Sequence, residues 1–255
     1  MGKQEVLEQL VGMSCNLGLP ERDCVILGEG NTSARVDEKT YFVKASGFQL
    51  NGIRADGFVE LCFEPVLAML DQHGLDDAEI NRRLAAAKVD PNVKIRPSIE
   101  STMHAVIYAL CGAEFIGHTH PTMVNAILCS QNGPELLKGR LFPDHIVFCG
   151  AVPMYIPYVE PGLPLARMVK RALEEHLDAY GEAPKTIFMQ NHGLIAVGRT
   201  AAEVESITAM CVKSCRVLLG TAALGGPHFM SEEDVRVIYK HPGELYRRKQ
   251  AGLND

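Results

Sequence analysis

The sequence predicts an α/β fold of three layers, α/β/α, with a central sheet that is mixed and largely antiparallel. Three observations lead there. Short apolar runs bounded by Gly, Pro, Asn and Ser recur along the chain and read as strands. Longer amphipathic segments lie between them and read as helices. The two kinds follow one another without the strict strand–helix–strand rhythm of an all-parallel sheet. The 255 residues are 47% apolar and 22% charged, enough for one large domain over residues 1–255 with a sizeable core.

The spacing of Val6, Leu7, Leu10, Val11 and Met13 predicts a helix over 3–16. Cys24 to Leu27 reads as a short apolar strand running into the loop Gly28-Glu29-Gly30-Asn31-Thr32-Ser33. Tyr41 to Lys44 is its hairpin partner and ends at Ala45-Ser46-Gly47. Phe63 to Leu70 reads as helical, and the polar, Ala-rich stretch 76–95 as a helix plus an exposed loop. Ser98, preceded by Pro97, is placed to cap a helix from Ile99 to Leu110. Phe115 to His120 is a strand stopped by Pro121, and Val124 to Cys129 a helix. Ile146 to Cys149 and Pro153 to Tyr158 are strand candidates, and Leu165 to Tyr180 is an amphipathic helix. Thr186 to Gln190 is a strand with Leu194 to Val197 as its continuation, and Ala201 to Leu219 a long helix. Ser231 to Lys249 is charged and helical, broken at Pro242-Gly243.

The bulk numbers exclude some functions. A net charge of -6 gives no reason to expect nucleic acid or a membrane surface as partner, since both attract basic proteins. No apolar run reads as a membrane span, and the N-terminal MGKQEVLEQLVGM lacks the uninterrupted apolar stretch of a signal peptide. The expected location is the cytoplasm. The eight cysteines form no Cys-x-x-Cys pair and read as reduced core residues, Cys211 and Cys215 on one helix face included.

His118 and His120 alternate on a predicted strand, which places both imidazoles on one face and Thr119 on the other. His192 follows a second strand in Gln190-Asn191-His192-Gly193. Any one histidine alone reads as a packed core or surface residue. Together, three neutral imidazoles suit zinc and leave a position open for substrate, with Mn2+, Co2+ or Fe2+ also compatible with the ligand types. Glu100, near the start of its helix, adds a carboxylate, and His104 lies one turn beyond it. The Gly28–Ser33 loop, Ser46-Gly47 and Ser98 offer backbone N–H groups, hydroxyls and a helix N-terminus to an anion, or are ordinary turns and caps.

The blocks GNTSAR (30–35), KASG (44–47), PSIESTMH (97–104), HTHP (118–121) and NHGL (191–194) together resemble the class II aldolase/adducin family over about residues 5–220. The resemblance implies an α/β/α fold and a homotetramer with active sites between subunits. It implies zinc on His118, His120 and His192, with Glu100 both ligating metal and acting as general acid/base. It places the phosphate of a small anionic sugar near Gly30, Asn31, Ser46, Gly47 and Ser98. Gly28 and Ile99 stand where the family's sugar-phosphate aldolases carry hydroxyl residues, which leaves open whether the substrate is phosphorylated. At the place of the acid that a neighbouring subunit contributes, Asp144 is the substitute or merely a turn residue; the C-terminal tyrosine corresponds to Tyr246 or Tyr239. The stretch 76–95 is longer than in the aldolases and borders the site or a subunit contact.

The expected function is a metal-dependent aldolase, a lyase that cleaves a phosphorylated ketose to dihydroxyacetone phosphate and an aldehyde. The alternatives are decarboxylation of a 3-oxo sugar acid or epimerisation, both by the same enediolate chemistry. The epimerase branch carries Asp where Glu100 stands. A third alternative is an adducin-like interaction module without catalysis, against which the three retained histidines count.

Overall fold

The computed structural model describes residues 2–250; the side chains of Arg248 and Gln250, together with residues 1 and 251–255, lie outside that description. Along the chain the helices are α1 (Lys3–Leu17), α2 (Phe63–Leu67), α3 (Asp77–Ala86), α4 (Ser101–Cys111), α5 (Thr122–Leu128), α6 (Gly133–Lys138), α7 (Pro143–Cys149), α8 (Leu163–Tyr180), α9 (Ala201–Thr221), α10 (Glu232–Lys240) and α11 (Pro242–Gln250). The strands are β1 (Asn31–Arg35), β2 (Thr40–Lys44), β3 (Phe58–Cys62), β4 (Phe115–Thr119), β5 (Met154–Ile156), β6 (Thr186–Met189) and β7 (Gly193–Gly198). They form one seven-stranded sheet in the order β3-β2-β1-β4-β7-β6-β5. Only β5 and β6 run parallel; the other neighbours are antiparallel. The predicted mixed, largely antiparallel sheet with helices on both faces is the observed one.

Alternation along the strands builds two cores. Tyr41, Val43, Ile116, Ile187, Ile195 and Val197 face one way and pack on α2, α4 and α8. Phe42, Phe115, Phe188, Leu194 and Ala196 face the other way and pack on α1, α5 and α9. Period-2 geometry sends successive side chains to opposite faces, and here both faces are covered. Such strands read as unbroken apolar runs.

That property explains the corrections. Thr186–Met189 and Gly193–Gly198 are not one strand but an antiparallel hairpin, because Gln190, Asn191 and His192 turn the chain. Asn191 takes the left-handed conformation, at φ 51°, which Asn tolerates better than most residues. Ile146 to Cys149 belongs to helix α7 and not to a strand; Pro143 at its first position presets the helical φ. A four-residue apolar run does not distinguish the two by periodicity. Cys24 to Leu27 forms no strand, and Ile26 and Leu27 are exposed. The strand starts instead at Asn31, inside the segment read as a loop. Helix α4 starts at Ser101, not Ile99, with Glu100 as its N-cap residue. Strand β3 and helix α6 were not predicted. The segment Ala201–Leu224 is long and apolar enough by composition to cross a membrane, contrary to the sequence reading. Here the α9 part lays Val204, Ile207, Cys211, Cys215 and Leu218 on the sheet.

The three central strands, β1, β4 and β7, carry the candidate residues to one end of the sheet. Asn31 opposes His118, and Thr119 opposes Leu194 two residues after His192. Ile195 opposes His118 and is fully buried at this centre. Replacing Ile195 with Ala is expected to cost about 2–5 kcal/mol, read from urea unfolding as a lower midpoint with unchanged slope.

Candidate metal centre

The His118 ring is held from behind, and His120 and His192 are placed through their backbones. His118, 0% exposed near the end of β4, has its Nδ1 3.1 Å from the Leu194 carbonyl. A carbonyl only accepts, so Nδ1 carries the hydrogen and Nε2 presents its lone pair forward. His120 is placed by its own N–H, which donates to the Cys24 carbonyl at 2.8 Å. His192 sits in the β6–β7 turn, where Asn125 Nδ2 donates to its carbonyl at 3.1 Å. Gly193 makes room for the cluster: a Cβ there would lie 2.6 Å from both His120 Cδ2 and the Thr119 carbonyl.

The three rings converge. The Nε2 atoms of His118 and His120 are 3.0 Å apart, and ligand atoms of His118, His120 and His192 all lie within 4.8 Å of one another. Glu100, 6% exposed, reaches in from the start of α4, with Oε2 3.4 Å from His118 Nε2 and Oε1 3.2 Å from His192 Nε2. Asn31 Nδ2 donates to Oε2 at 2.6 Å. Burial pushes the Glu100 carboxyl up, but the imidazoles of His118 and His192 and the Asn31 amide outweigh it and hold it well below the usual range. Burial is also the main cause that lowers His118 to about 4 and His120 to about 3. Near neutral pH the His118 and His120 rings are therefore neutral and lie beside an ionised carboxylate.

That donor set fits a divalent cation. His118 Nε2 presents its lone pair 3.0 Å from His120 Nε2, an approach that a hydrogen on His120 Nε2 or a shared metal ion makes favourable. A cavity of about 430 Å³ opens beside His120, lined also by Val25, Ile26, Glu29 and Asn125. Another, of about 440 Å³, lies at the opposite end of β4 and β7 and holds no such cluster.

The other predicted residues are partly brought together. Ser98, buried, lies 3.4 Å from Asn31 Nδ2 and receives the Glu100 backbone N–H at 3.2 Å. An isolated bridge between Ala45 and Pro97, and a bond from Ser46 N to Arg96 O, set the turn at Ser46 and Gly47 beside Ser98. Gly30 adopts φ +65°, and a Cβ there would lie 2.5 Å from the His118 carbonyl oxygen. Asp144 pairs instead with Arg247 of α11 at 2.8 Å, and Tyr246 is exposed; no contact among the described residues links either to the histidines. Sequence reasoning gave no role to Lys44, which lies buried under the turn with Nζ donating to the Ala45 and Phe48 carbonyls. Burial pulls its pKa down to about 8 against the opposing field of Glu100. Its place at the head of the KASG block was the available signal.

A cluster of one buried and two partly buried histidines with a carboxylate, mounted at one end of a mixed sheet, defines an α/β protein with a candidate metal site. The chain belongs to the family described as Class II Aldolase and Adducin N-terminal domain, which matches residues 12–219. It is 27% identical over 203 residues to the uncharacterized oxidoreductase YuxG of Bacillus subtilis (strain 168), covering 76% of this chain and only 27% of that relative's length. It is 26% identical over 192 residues to a methylthioribulose-1-phosphate dehydratase of Geobacillus kaustophilus (strain HTA426), covering 73% of this chain and 79% of the relative. It is 26% identical over 182 residues to a 3-oxo-tetronate 4-phosphate decarboxylase of Haemophilus influenzae (strain ATCC 51907 / DSM 11121 / KW20 / Rd), covering 70% of each. Its fold is that of the L-fuculose 1-phosphate aldolase of Glaciozyma antarctica PI12, with a TM-score of 0.69 at 18% identity, over 98% of this chain and 85% of that one.

Two outcomes are expected. His118→Ala and His192→Ala lose bound metal by elemental analysis of the purified protein, and Gly193→Ala binds it more weakly because the added Cβ displaces His120. In chelator, stability falls as pH drops below about 6.5, because the unfolded chain takes up protons that the buried histidines refuse. For His104, lowered by burial from 6.5 to about 4, the loss reaches about 3 kcal/mol near pH 4. Denaturant unfolding at pH 7 and pH 4 measures it.

Proposed function

We propose that the protein is a metal-dependent lyase that cleaves a phosphorylated ketose to dihydroxyacetone phosphate and an aldehyde. The observation that carries this reading is the placement of the ionised Glu100 carboxylate against two imidazoles of an open three-histidine cluster. His118, His120 and His192 would hold the divalent ion, zinc by preference of the ligand set. When bound, it supplies a Lewis acid for a substrate carbonyl and for charge developing on oxygen.

The chain's own residues do the rest. In an aldol cleavage the C4 hydroxyl gives its proton to a base, and the C3–C4 bond breaks. Its electron pair enters the enediolate while C4 becomes the aldehyde. A proton returned to C3 completes dihydroxyacetone phosphate. Glu100 is the carboxylate positioned to hold and return a proton, and its burial keeps bulk water from competing. Ser98, Asn31 and the Ser46-Gly47 turn, backed by the buried Lys44 ammonium, form the side on which a phosphate would rest. We place the reaction in the cytoplasm and the sites at subunit boundaries of a homotetramer, where Asp144 and Tyr246 of one subunit would serve the next.

A second reading is decarboxylation of a phosphorylated 3-oxo sugar acid, favoured by the likeness to the Haemophilus influenzae decarboxylase. Loss of CO2 from such an acid gives the same enediolate. A panel of ketose 1-phosphates and 3-oxo acid phosphates separates the two. Release of an aldehyde together with dihydroxyacetone phosphate from a ketose 1-phosphate supports the first reading, and CO2 release from a 3-oxo acid phosphate with no aldehyde from any ketose replaces that reading with the second. In either case Glu100→Gln is expected to lower kcat by about 10²–10⁴-fold with little change in KM.

A further inference from the structure

Behind Glu100 runs a chain of four short hydrogen bonds. Asn31 Nδ2 meets Glu100 Oε2 at 2.6 Å, and Asn31 Oδ1 meets His104 Nε2 at 2.5 Å. His104 Nδ1 meets Ser33 Oγ at 2.6 Å, and Ser33 Oγ meets the Tyr108 hydroxyl at 2.7 Å. Every member is buried: Glu100 is 6% exposed, Asn31 5%, Tyr108 1%, Ser33 and His104 0%. The chain crosses from helix α4 to strand β1 and back to α4, so it ties two elements together.

The direction of each bond follows from chemistry at the Glu100 end. Asn31 turns its Nδ2 toward Glu100 Oε2 at 2.6 Å, and an amide NH2 donates. That leaves Oδ1, an acceptor, facing His104, so His104 Nε2 must carry a hydrogen. Burial lowers the His104 pKa to about 4, so the ring is neutral and has one hydrogen only. Nδ1 is then bare and accepts the Ser33 hydroxyl. Ser33 in turn accepts from the Tyr108 O–H. All four bonds point the same way, toward the carboxylate, and no member is left with two donors or two acceptors face to face.

We propose that His104 is a positioning residue for Glu100: held as the Nε2–H tautomer by Ser33 and Tyr108, it fixes the Asn31 amide with its NH2 toward the carboxylate. Without that hydrogen nothing would distinguish the two ends of the amide on the His104 side. A flipped Asn31 would set its oxygen against the Glu100 carboxylate and push the proton carrier out of place. A buried amide has no water to correct the error. The geometric claim stands by itself; its kinetic consequence rests on the reading of Glu100 as proton carrier.

Two experiments test it on the full-length chain. Long-range 1H–15N correlation spectra of the metal-free protein at pH 7 report the His104 tautomer. Hydrogen on Nε2 is expected; hydrogen on Nδ1, or a doubly protonated ring, overturns the proposal whatever the reaction proves to be. The second is a mutant cycle on whichever lyase activity the substrate panel reveals. His104→Leu is expected to lower kcat about 10–100-fold, a typical loss for a residue that orients a ligand from behind. His104→Gln, whose amide N–H reaches the same place, should restore most of it. In an Asn31→Ala background His104→Leu should cost less than about a further twofold, because its route of action is gone. Equal losses in both backgrounds, or Gln no better than Leu, would show a packing role only. Failure of His104→Leu to fold leaves the tautomer to decide. A wild type without lyase activity sinks the proposed function, not this inference.

Discussion

A carboxylate almost out of reach of water is expensive to keep ionised, and Glu100 is kept so by what surrounds it. Its two oxygens lie 3.2 and 3.4 Å from the His192 and His118 imidazoles, and one of them also takes the Asn31 amide. Much of the local architecture serves that arrangement. The β1–β4 register sets Asn31 opposite His118, the β6–β7 turn holds His192, and Glu100 is the N-cap residue just before α4. Loss of the Asn31 amide would leave the buried carboxylate without its hydrogen-bond donor, which costs more than the bond itself contributes.

Burial also sets the protonation of the rings. His118, His120 and His104 are all held neutral near pH 7, but for different uses. In the first two, neutrality keeps nitrogen lone pairs free to ligate a cation. In His104 it restricts the ring to one hydrogen and so gives the hydrogen-bond chain behind Glu100 a single sense. One physical effect, desolvation, thus prepares both the histidine cluster that could hold a cation and its support.

The architecture and the site were not equally legible in the sequence. Amphipathic helices such as Leu163–Tyr180 and Ala201–Thr221 announce themselves by period, and the mixed sheet follows from the irregular order of elements. His118, His120 and His192 could be singled out because a His-x-His strand and an Asn-His-Gly turn are uncommon outside a shared purpose. Short, doubly buried strands were harder. With both faces apolar, β6 and β7 look continuous, and the four-residue run at Ile146 looks like a strand although Pro143 starts a helix there. The Asn31–His104–Ser33–Tyr108 chain was invisible for another reason: its bonded partners lie up to 75 residues apart, and only the pairing of β1 with α4 unites them. Lys44 was hidden because a lysine is ordinarily read as solvent-facing, whereas here it is 3% exposed.

The central claim is that Glu100 moves a proton at the carbon of an enediolate beside the three histidines. It is tested most directly by incubating the metal-loaded protein with dihydroxyacetone phosphate in D2O. One deuterium entering the hydroxymethyl carbon with the wild type, and none with Glu100→Gln, is the expected result. No exchange with the wild type, or exchange that persists in Glu100→Gln, would contradict it.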